Sequence, residues 1–433
     1  MQTSLQGIAK KAESQPRYRF RNLYGMVNEA FLIDCWRDIR KDAAYGVDRV
    51  SARAYEKDLA ANVRDLVERL KGKRYRARLV RRHYIPKEGG KMRPLGIPVV
   101  EDKLVQLAVA RLLSAIYEQD FLRCSFGYRP GLSAHDAVHE LTIKLQFGRY
   151  HYVVEADIRG YFDTIDHDGL IRMLEERVDD KALVRLVKKW LKAGVLETDG
   201  AVLHPATGTP QGGVISPILA NVYLHYVLDL WFEKVFKRQC RGEACLIRYA
   251  DDWVCAFELG TEAERFYETL GLRLEKFGLE LSAKKTRIIP FPRRGPDAGK
   301  NSFDFLGFEF RWGTDRKGDP HLKRRTARSR LRASLQRLAM WCRETRHQRL
   351  KLLFGALNRK LRGYYNYYGI YGNHGSLRQF YAAAIRTLYK WLNRRSQPRS
   401  YNWAGFRVLL EYFEVECPRV RHRLSGCASR TVA

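Results

Sequence analysis

The chain has 433 residues, 45% of them hydrophobic, which suggests two or three domains with packed cores and excludes a disordered chain. Its formal net charge of +31 exceeds what solubility requires and indicates a polyanionic partner; a basic membrane-surface protein is the alternative, which no basic amphipathic helix favours. No apolar run is long enough to cross a bilayer and residues 1–15 lack the core of a secretory signal, so we expect a cytoplasmic protein without a membrane partner.

Helical and strand-like periodicities alternate along most of the chain. The predicted elements begin with basic helices up to about residue 76, with a loop at 46–48, and a cationic hairpin that has strands at 79–86 and ending at 98 and a turn at Gly89-Gly90. Next come helices at 103–117 and from 133, a strand at 152–158, a helix capped by Asp166, a long helix at 215–236, a helix at 262–277 and a strand at 302–310. Beyond Gly318 the chain is predicted to be entirely helical, with breaks at 372–375 and 396–400. Strands interleaved with helices, followed by a helical tail, predict an α+β core with an α-helical appendage. We divide the chain into domains at 1–76, 77–312 and 313–433.

Two adjacent carboxylates, Asp251 and Asp252, lie between two apolar runs with strand propensity, 245–248 and 253–257. This pattern predicts a β-hairpin with an acidic pair at its tip. Like charges held side by side raise each other's pKa unless a cation neutralises them, and Mg²⁺ suits oxygen ligands best. The alternative is an ordinary acidic turn, because Asp is common in turns.

A third carboxylate, Asp157, ends the predicted strand at 152–158. A site for phosphoryl transfer uses such a carboxylate from a neighbouring strand, so that two cations can share it. If the strand lies beside the hairpin, Asp157 comes next to Asp251. The alternative is that Asp157 only caps a turn.

Seven sequence blocks resemble, in order, those of reverse transcriptases. They are 85–98, 126–131 (FGYRPG), 157–167 (DIRGYFDTIDH), 209–221 (TPQGGVISPILAN), 249–252 (YADD), 281–286 and 305–307. The resemblance implies a right-hand polymerase with fingers and palm at 77–312, the palm being an antiparallel sheet packed on helices, followed by an α-helical thumb at 313–433. Each block alone is weak evidence, but seven in the family's order are specific.

The C-terminal segment resembles one subgroup of reverse transcriptases. Residues 361–369, 390–396 and 401–406 are similar to domain X of group II intron maturases, and 45–48 is similar to an N-terminal extension block of non-retroviral enzymes. The scattered cysteines contain no C-x-x-C pair, which argues against a structural zinc site. The chain therefore resembles the endonuclease-lacking type of group II intron-encoded reverse transcriptase.

The resemblance implies a catalytic metal site. Asp157, Asp251 and Asp252 would be the catalytic carboxylates that bind two Mg²⁺ ions, and the main-chain carbonyl of Ile158 would add a ligand. The chemistry would be in-line displacement without a covalent intermediate on the protein.

The same resemblance implies residues that contact the substrates. The nucleotide-binding residues would be Lys87, Arg93, Arg81, Phe162 as the gate against a 2′-hydroxyl, Gln211 and Lys285. The primer–template residues would be Tyr249, Phe305 and Gly307. The alternatives are a solvated hairpin face for the cations and a core position for Phe162.

Residues 321–433 contain 25 Lys and Arg against 4 Asp and Glu, together with many Tyr and Trp side chains. Cations bind phosphates and aromatic rings stack on unpaired bases, although helix packing also explains many of the rings. The candidate RNA-binding residues are Arg324, Arg325, Arg328, Arg330, Arg362, Tyr364, Arg394 and Arg395.

The expected function is RNA-directed DNA synthesis combined with binding of group II intron RNA to assist splicing and mobility. The partners would be intron RNA or another RNA template, a DNA primer, the RNA–DNA hybrid and dNTPs, in the cytoplasm and at the nucleoid when target DNA is bound. Three alternatives stay open: a domesticated relative acting in phage defence, CRISPR spacer acquisition or DNA repair; a catalytically idle splicing cofactor; and an RNA-templated RNA polymerase.

Overall fold

The structure is a computed structural model that describes residues 4–86, 92–209, 212–283, 285–395 and 400–422. Its contacts divide into two compact units, one formed by Met1–Ser133 with Val154–Ile288 and the other by Ala134–Val153 with Ile289–Ala433. The three-domain division at 1–76, 77–312 and 313–433 is a different one and stays a prediction.

The secondary structure is mixed. The helices are α1 Leu5–Ser14, α2 Glu29–Trp36, α3 Ala52–Glu56, α4 Leu59–Lys71, α5 Val100–Tyr117, α6 Ala134–Phe147, α7 Tyr161–Thr164, α8 His167–Glu175, α9 Lys181–Leu191, α10 Ser216–Leu224, α11 Gly260–Glu275, α12 Arg328–Thr345, α13 Leu350–Tyr368, α14 His374–Leu392 and α15 Trp403–Tyr412. The strands are β1 Val80–Pro86, β2 Met92–Ile97, β3 Tyr152–Ala156, β4 Val195–Leu196, β5 Val202–Leu203, β6 Ala244–Tyr249, β7 Asp252–Phe257, β8 Arg287–Pro290, β9 Ser302–Phe305, β10 Phe308–Thr314 and β11 Pro320–Thr326. Within the described part of the chain, no helix is both long and apolar enough to cross a membrane.

A four-stranded sheet with the order β6-β7-β3-β8 carries the acidic residues. Strands β6 and β7 form an antiparallel hairpin whose register runs from Ala244↔Phe257 to Tyr249↔Asp252. Their residues are buried without alternation, except at the hairpin tip. Such continuous burial indicates that both faces of the sheet are covered.

The first unit also contains a cationic sheet with the order β2-β1-β4-β5. Strand β1 pairs with β2 in antiparallel register from Arg81↔Ile97 to Pro86↔Met92, which confirms the predicted hairpin. The predicted turn at Gly89-Gly90 falls outside the described residues. Helix α5 is largely buried, and its residues Leu104, Leu112 and Ile116 have 0% exposure.

The long helix predicted at 215–236 is present, but its hydrogen-bond pattern changes along its length. It begins as α10 and continues through two π-helical turns, His225–Asp229 and Phe232–Phe236. The i→i+5 bonds of a π turn alter which side chains share a face, and such turns frequently occur at functional sites.

The second unit combines an antiparallel sheet, β11-β10-β9, with helices α12 to α15. The core of these helices includes Leu353, Leu357 and Leu361, each fully buried. Helix α6 also belongs to this unit.

Two predictions for the second unit are wrong. The chain beyond Gly318 is not entirely helical, because Pro320–Thr326 forms β11 and pairs with β10 along its whole length. The predicted strand at 302–310 is two strands, because Leu306 and Gly307 take positive φ angles of 49° and 79° and reverse the chain. Tertiary pairing overrides local propensity in both places.

Candidate active site

The acidic turn, residues 249–252, joins β6 to β7 as predicted. Ala250 lies in the left-handed region with φ 56° and is buried. For a residue with a Cβ this conformation costs about 1–2 kcal/mol. The turn is therefore a strained feature that its surroundings must hold, with Asp251 half-buried and Asp252 exposed at its tip.

Asp157 follows the last residue of β3, the strand next to β7 in the sheet. Its Oδ2 accepts from Lys285 Nζ at 2.7 Å, and its backbone carbonyl accepts from the Ser282 amide at 2.8 Å. Ile158 is buried and forms an antiparallel bridge with Leu281. The segment that carries Asp157 is thus held on one side by Leu281, Ser282 and Lys285.

The electrostatic environment links the acidic turn to the segment after Asp157. Burial raises the pKa of the Tyr161 hydroxyl well above its usual range, and the Asp251 carboxylate contributes to that increase. Tyr161 begins the short helix α7 and donates to the carbonyl of Ala220 at 2.6 Å. Asp251 therefore lies within electrostatic reach of the helix that follows Asp157.

The three aspartates supply hard oxygen donors at the ends of neighbouring strands, which is the ligand chemistry that Mg²⁺ prefers. Lys285 shows that a cation already pairs with Asp157, whose side chain is 30% exposed. Across the described residues, however, no three His, Cys, Asp or Glu side chains are grouped so that they could hold a metal ion. The donor types fit the metal, and the convergence of the three carboxylates stays a prediction.

A buried arginine lies directly beneath the acidic turn. Arg248 and Asp229 form an ion pair in which both side chains have 0% exposure. Arg248 Nη1 also donates to Asn221 Oδ1 and to the carbonyl of Ala250, each at 3.0 Å. Burial by itself would lower the pKa of Arg248, and the Asp229 carboxylate more than offsets this, so the pKa is raised.

The loop at 124–128 packs against the same turn. The amide of Phe126 donates to the carbonyl of Arg248 at 2.8 Å, and Asn221 Nδ2 donates to the carbonyl of Gly127 at 2.6 Å. A Cβ on Gly127 would collide with the backbone nitrogen of Ala250 and lie 2.8 Å from the carbonyl carbon of Tyr249. Only glycine allows this approach.

Tyr128 is a half-exposed aromatic residue with a left-handed φ of 57° beside the acidic turn. Partial burial raises the pKa of its hydroxyl, the Asp251 and Asp252 carboxylates raise it further, and Arg93 opposes them. The side chains of the acidic turn, the 126–131 block and β2 therefore lie near one another. Sequence reasoning matched this block without giving Tyr128 a role.

The predicted nucleotide-binding residues have different environments. Arg93 is exposed on β2, whereas Arg81 donates through Nε and Nη2 to the carbonyl of Tyr45 and lies over its ring. The Arg81 guanidinium is thus engaged within the protein. Lys87 and Gln211 fall outside the described residues.

Phe162 lies in α7, half-buried, with its ring edge-on to Tyr161 at a centroid distance of 5.4 Å. Its carbonyl accepts from the Thr209 amide at 2.7 Å. Gln106 Oε1 accepts from the Val214 amide at 3.0 Å. The described residues on either side of Gln211, Thr209 and Val214, are therefore both held by hydrogen bonds to the first unit.

In the second unit, Phe305 is buried in β9 and Gly307 forms the turn to β10. The Gly307 carbonyl accepts from the Ala327 amide at 2.9 Å. Their assignment to primer and template stays a prediction.

Several of the predicted RNA-binding side chains are engaged inside the protein. Arg324 is buried and donates to Thr142 Oγ1 and the carbonyl of Tyr371, and burial lowers its pKa. Tyr364 is also buried and stacks on Phe380 at 3.6 Å. These two side chains belong to the core, because both are buried and their contacts lie within the protein.

The other candidates retain surface exposure to different degrees. Arg325 pairs with Glu309, and Arg362 pairs with Glu416. Arg395 donates to the carbonyls of Arg346 and Gln348, and Arg394 lies over the Trp391 ring. Arg328 and Arg330 are exposed at the start of α12.

Residues that sequence reasoning missed are Arg248, Asp229 and Gly127. The only available signal was a charged residue, Arg248, inside an otherwise apolar strand. Such a residue needs a buried acid partner, but spacing alone does not identify Asp229.

Comparison with known proteins identifies the family. The family model "Reverse transcriptase (RNA-dependent DNA polymerase)" matches residues 85–310. Protein YkfC of Escherichia coli is 34% identical over 318 residues, covering 65% of this chain and 82% of YkfC. Group II intron-encoded protein LtrA of Lactococcus lactis is 46% identical over 173 residues, covering 39% of this chain and 28% of LtrA.

A solved structure of telomerase from Candida albicans matches with a TM-score of 0.44 and 13% identity, covering 79% of this chain and 64% of that chain. The match to LtrA spans less than a third of LtrA's length, whereas the match to YkfC spans most of YkfC. The predicted α+β fold with a fingers-and-palm core is confirmed by the family match over residues 85–310. The chain belongs to the reverse transcriptase (RNA-dependent DNA polymerase) family.

Proposed function

We propose that the protein is an RNA-directed DNA polymerase that copies RNA into DNA and also binds group II intron RNA to assist splicing and mobility. The observation that carries this proposal is the acidic turn beside β3 and Asp157 in a chain of the reverse transcriptase family. We place its activity in the cytoplasm, with nucleoid association when target DNA is bound.

Enzymes of this family use divalent metal ions. Asp157, Asp251 and Asp252 would hold two Mg²⁺ ions, with the Ile158 carbonyl as a further ligand. Bound there, the ions would lower the pKa of the primer 3′-hydroxyl and neutralise charge on the triphosphate.

The chain's own side chains would position the reactants. Lys285 holds the Asp157 carboxylate through an ion pair at 2.7 Å, which restricts the rotamers open to that carboxylate. Arg93, Lys87 and Gln211 would contact the incoming nucleotide, and charge-assisted bonds to its phosphates would orient it. Positioning and charge neutralisation are the main protein contributions to phosphoryl transfer.

Phe162 would select the sugar. Its ring packs edge-on against Tyr161, which limits its movement, and a rigid ring beside the nucleotide would exclude a 2′-hydroxyl. Tyr249, Phe305 and Gly307 would contact the primer and template.

The RNA-binding role is supported by the charge of residues 321–433 and by the exposed arginines of α12. LtrA carries the name of a group II intron-encoded protein. Phosphate contacts of this kind are independent of sequence and weaken as salt rises.

Primer extension on an RNA template with Mg²⁺ and dNTPs tests the polymerase. Asp251→Ala should reduce synthesis to background while RNA affinity changes by less than about twofold, since RNA binding depends on cations that contact phosphates and a carboxylate makes no such contact. Glu268→Ala, which removes an exposed acid from α11, is the matched control and should retain synthesis. Synthesis that survives Asp251→Ala would reject the metal-binding assignment, and a wild-type chain that binds RNA but makes no DNA would favour the idle cofactor.

The sugar gate is tested in the same assay with NTPs in place of dNTPs. Phe162→Ala should raise ribonucleotide incorporation relative to deoxynucleotides by roughly 10- to 200-fold, the range for one steric contact in a pocket. Phe162→Tyr keeps the ring and should keep the selectivity. Unchanged selectivity in Phe162→Ala would show that the ring is only part of the core.

A further inference from the structure

We propose that Arg248, Asp229 and Asn221 form a positioning cluster whose role is to hold the acidic turn in the conformation that nucleotidyl transfer requires. These three residues, called the Arg248 cluster below, contact the protein backbone and each other and not the reactants. The inference rests on the proposed polymerase function and names residues that set the geometry of that site.

Arg248 and Asp229 form a charge pair that is completely buried. Arg248 Nε donates to Asp229 Oδ1 at 2.7 Å, and Nη2 donates to Asp229 Oδ2, with both side chains at 0% exposure. Removing two such charges from water carries a desolvation penalty of several kcal/mol per ion, and a buried pair is often no more stabilising than apolar residues of equal volume. Stability alone therefore does not explain the pair, and a fixed geometry does.

The Arg248 guanidinium also bonds to the backbone of the acidic turn. Its third donor, Nη1, reaches the carbonyl of Ala250, the residue whose left-handed φ of 56° reverses the chain between Tyr249 and Asp251. The same nitrogen donates to Asn221 Oδ1. The planar fork of arginine directs several donors at fixed angles, so it can support a strained turn in a way that the single ammonium of lysine cannot.

A π turn, His225–Asp229, aligns the two partners of Arg248. Asn221 and Asp229 are eight residues apart, which in a regular α-helix leaves their side chains about 80° apart around the axis, at 100° per residue. The π turn His225–Asp229 has more residues per turn and reduces that offset. Both side chains consequently face Arg248. The π turn thus brings the two partners of Arg248 to one side of the helix, in keeping with the frequent occurrence of such turns at functional sites.

The Arg248 cluster also supports the acidic turn through the loop at 124–128. Asn221 Nδ2 donates to the carbonyl of Gly127, whose backbone lies against Tyr249 and Ala250. Backbone bonds from Arg248 N to the Cys124 carbonyl and from Phe126 N to the Arg248 carbonyl tie this loop to β6. The cluster thus holds the turn in two ways. Arg248 bonds to the Ala250 carbonyl, and Asn221 bonds to the Gly127 carbonyl beside the turn.

The test uses Asn221→Ala and Arg248→Lys in the full chain, with Arg177→Lys as the matched control. Arg177 is another buried arginine, paired with Asp120, but its other bonds go to carbonyls of the N-terminal segment at Ala12, Gln15 and Pro16. All three variants lose a buried hydrogen-bonded contact, so all are expected to melt at a lower temperature. Only the first two remove support from the acidic turn.

The decisive readouts are hydrogen exchange of the amides at 249–252 and Mn²⁺ binding followed by electron paramagnetic resonance. Asn221→Ala and Arg248→Lys should exchange faster at these amides and bind Mn²⁺ roughly 10- to 100-fold more weakly, the usual effect of losing support around metal-binding residues. In primer extension, kcat should fall by a similar factor with little change in the KM for dNTPs. Arg177→Lys should change none of these.

The proposal would be overturned if folded Asn221→Ala kept wild-type exchange at 249–252 and wild-type Mn²⁺ affinity. The cluster would then be a stabilising element only. If Arg248→Lys does not fold, Asn221→Ala decides, because it leaves the Arg248–Asp229 pair intact. Failure of the polymerase proposal can be told apart from failure of this one. A wild-type chain that makes no DNA would reject the polymerase, while the exchange and Mn²⁺ measurements on the variants would still test the cluster.

Discussion

Arg248 in the first unit and the arginines at the start of α12 in the second unit use the same side chain in opposite surroundings. Arg248 is fully buried and directs its donors to Asp229, Asn221 and the Ala250 carbonyl. Arg328, Arg330 and Arg332 are exposed, on a helix whose only acidic residue is Glu344. A buried guanidinium maintains protein geometry, whereas an exposed one is available to phosphates, from which it releases counterions.

The second unit repeats this contrast within a few residues. Arg324 on β11 is buried and hydrogen-bonded within the unit, while Arg328 four positions later is exposed. Both contribute equally to the net charge of the segment. Net charge therefore predicts that the unit binds a polyanion but not which side chains make the contacts.

Gly127→Ala is expected to have the largest effect, because it directly disturbs the buried residues that hold the acidic turn. A Cβ at this position would strike the backbone of Ala250, so the acidic turn or the 124–128 loop must move. A displacement of about 1 Å can reduce catalysis about a hundredfold, and overpacking costs roughly 1–3 kcal/mol of stability. Primer extension and urea unfolding measure the two effects.

The control for that substitution is Gly363→Ala in α13, where a Cβ would meet nothing within 4 Å. Alanine in a helix is about 0.5–1 kcal/mol more favourable than glycine, so this variant should be equally or more stable and fully active. If Gly127→Ala behaved like Gly363→Ala, the close approach of the loop to the acidic turn would have no functional role.

The role of the exposed arginines is tested by replacing Arg328, Arg330 and Arg332 with Glu in one triple variant. RNA affinity should fall at least about tenfold for any sequence, and the slope of log affinity against log salt should decrease by about 2, since each lost phosphate contact removes about 0.7 for single strands. Filter binding across a salt series measures both values.

Arg324→Lys separates charge from exposure in the same experiment. It preserves a positive charge but removes the fork that contacts Thr142 and the Tyr371 carbonyl, so stability should fall while RNA affinity stays unchanged. An RNA affinity that fell as far in Arg324→Lys as in the α12 variant would contradict the division into buried and exposed arginines.

The sequence predicted the elements that depend on local pattern. The hairpin at 249–252 follows from an acidic pair between two apolar runs, and Asp166 caps α8 as expected, accepting from the Gly169 amide. These features need no information from distant residues. The family blocks added the order in which fingers and palm elements occur.

The sequence did not predict features that depend on tertiary partners. Strand β11 has the buried alternation of Leu322, Arg324 and Thr326, but two of its buried or half-buried positions are arginines, which resembles a basic helix until β10 is known to pair with it. The Arg248–Asp229 pair depends on a π turn that no periodicity signals. Features that depend on long-range pairing or on an irregular helix therefore could not be inferred from the local sequence.

The smallest effect on activity is expected at His225, which lies beside the Arg248 cluster and edge-on to Phe121. Burial lowers its pKa to about 4; Asp229 opposes the shift, and the positive charges of Arg248 and Arg129 add to it. Since the unfolded value is near 6.5, the unfolded chain binds the proton more readily between these values. Stability is therefore lost as the pH falls from about 6.5 towards 4, by up to about 3 kcal/mol.

His225→Gln removes this titrating group and should flatten the dependence of the unfolding free energy on pH between 7.5 and 5, with activity at pH 7.5 changed by less than about twofold. Urea unfolding at a series of pH values measures the slope, and His204→Gln, at an exposed histidine, is the control that should leave it unchanged. An unchanged slope in His225→Gln would mean that the proton is accommodated next to Arg248. The buried charges would then tolerate a further cation, which a rigid cluster whose single carboxylate, Asp229, is already bonded to Arg248 should not.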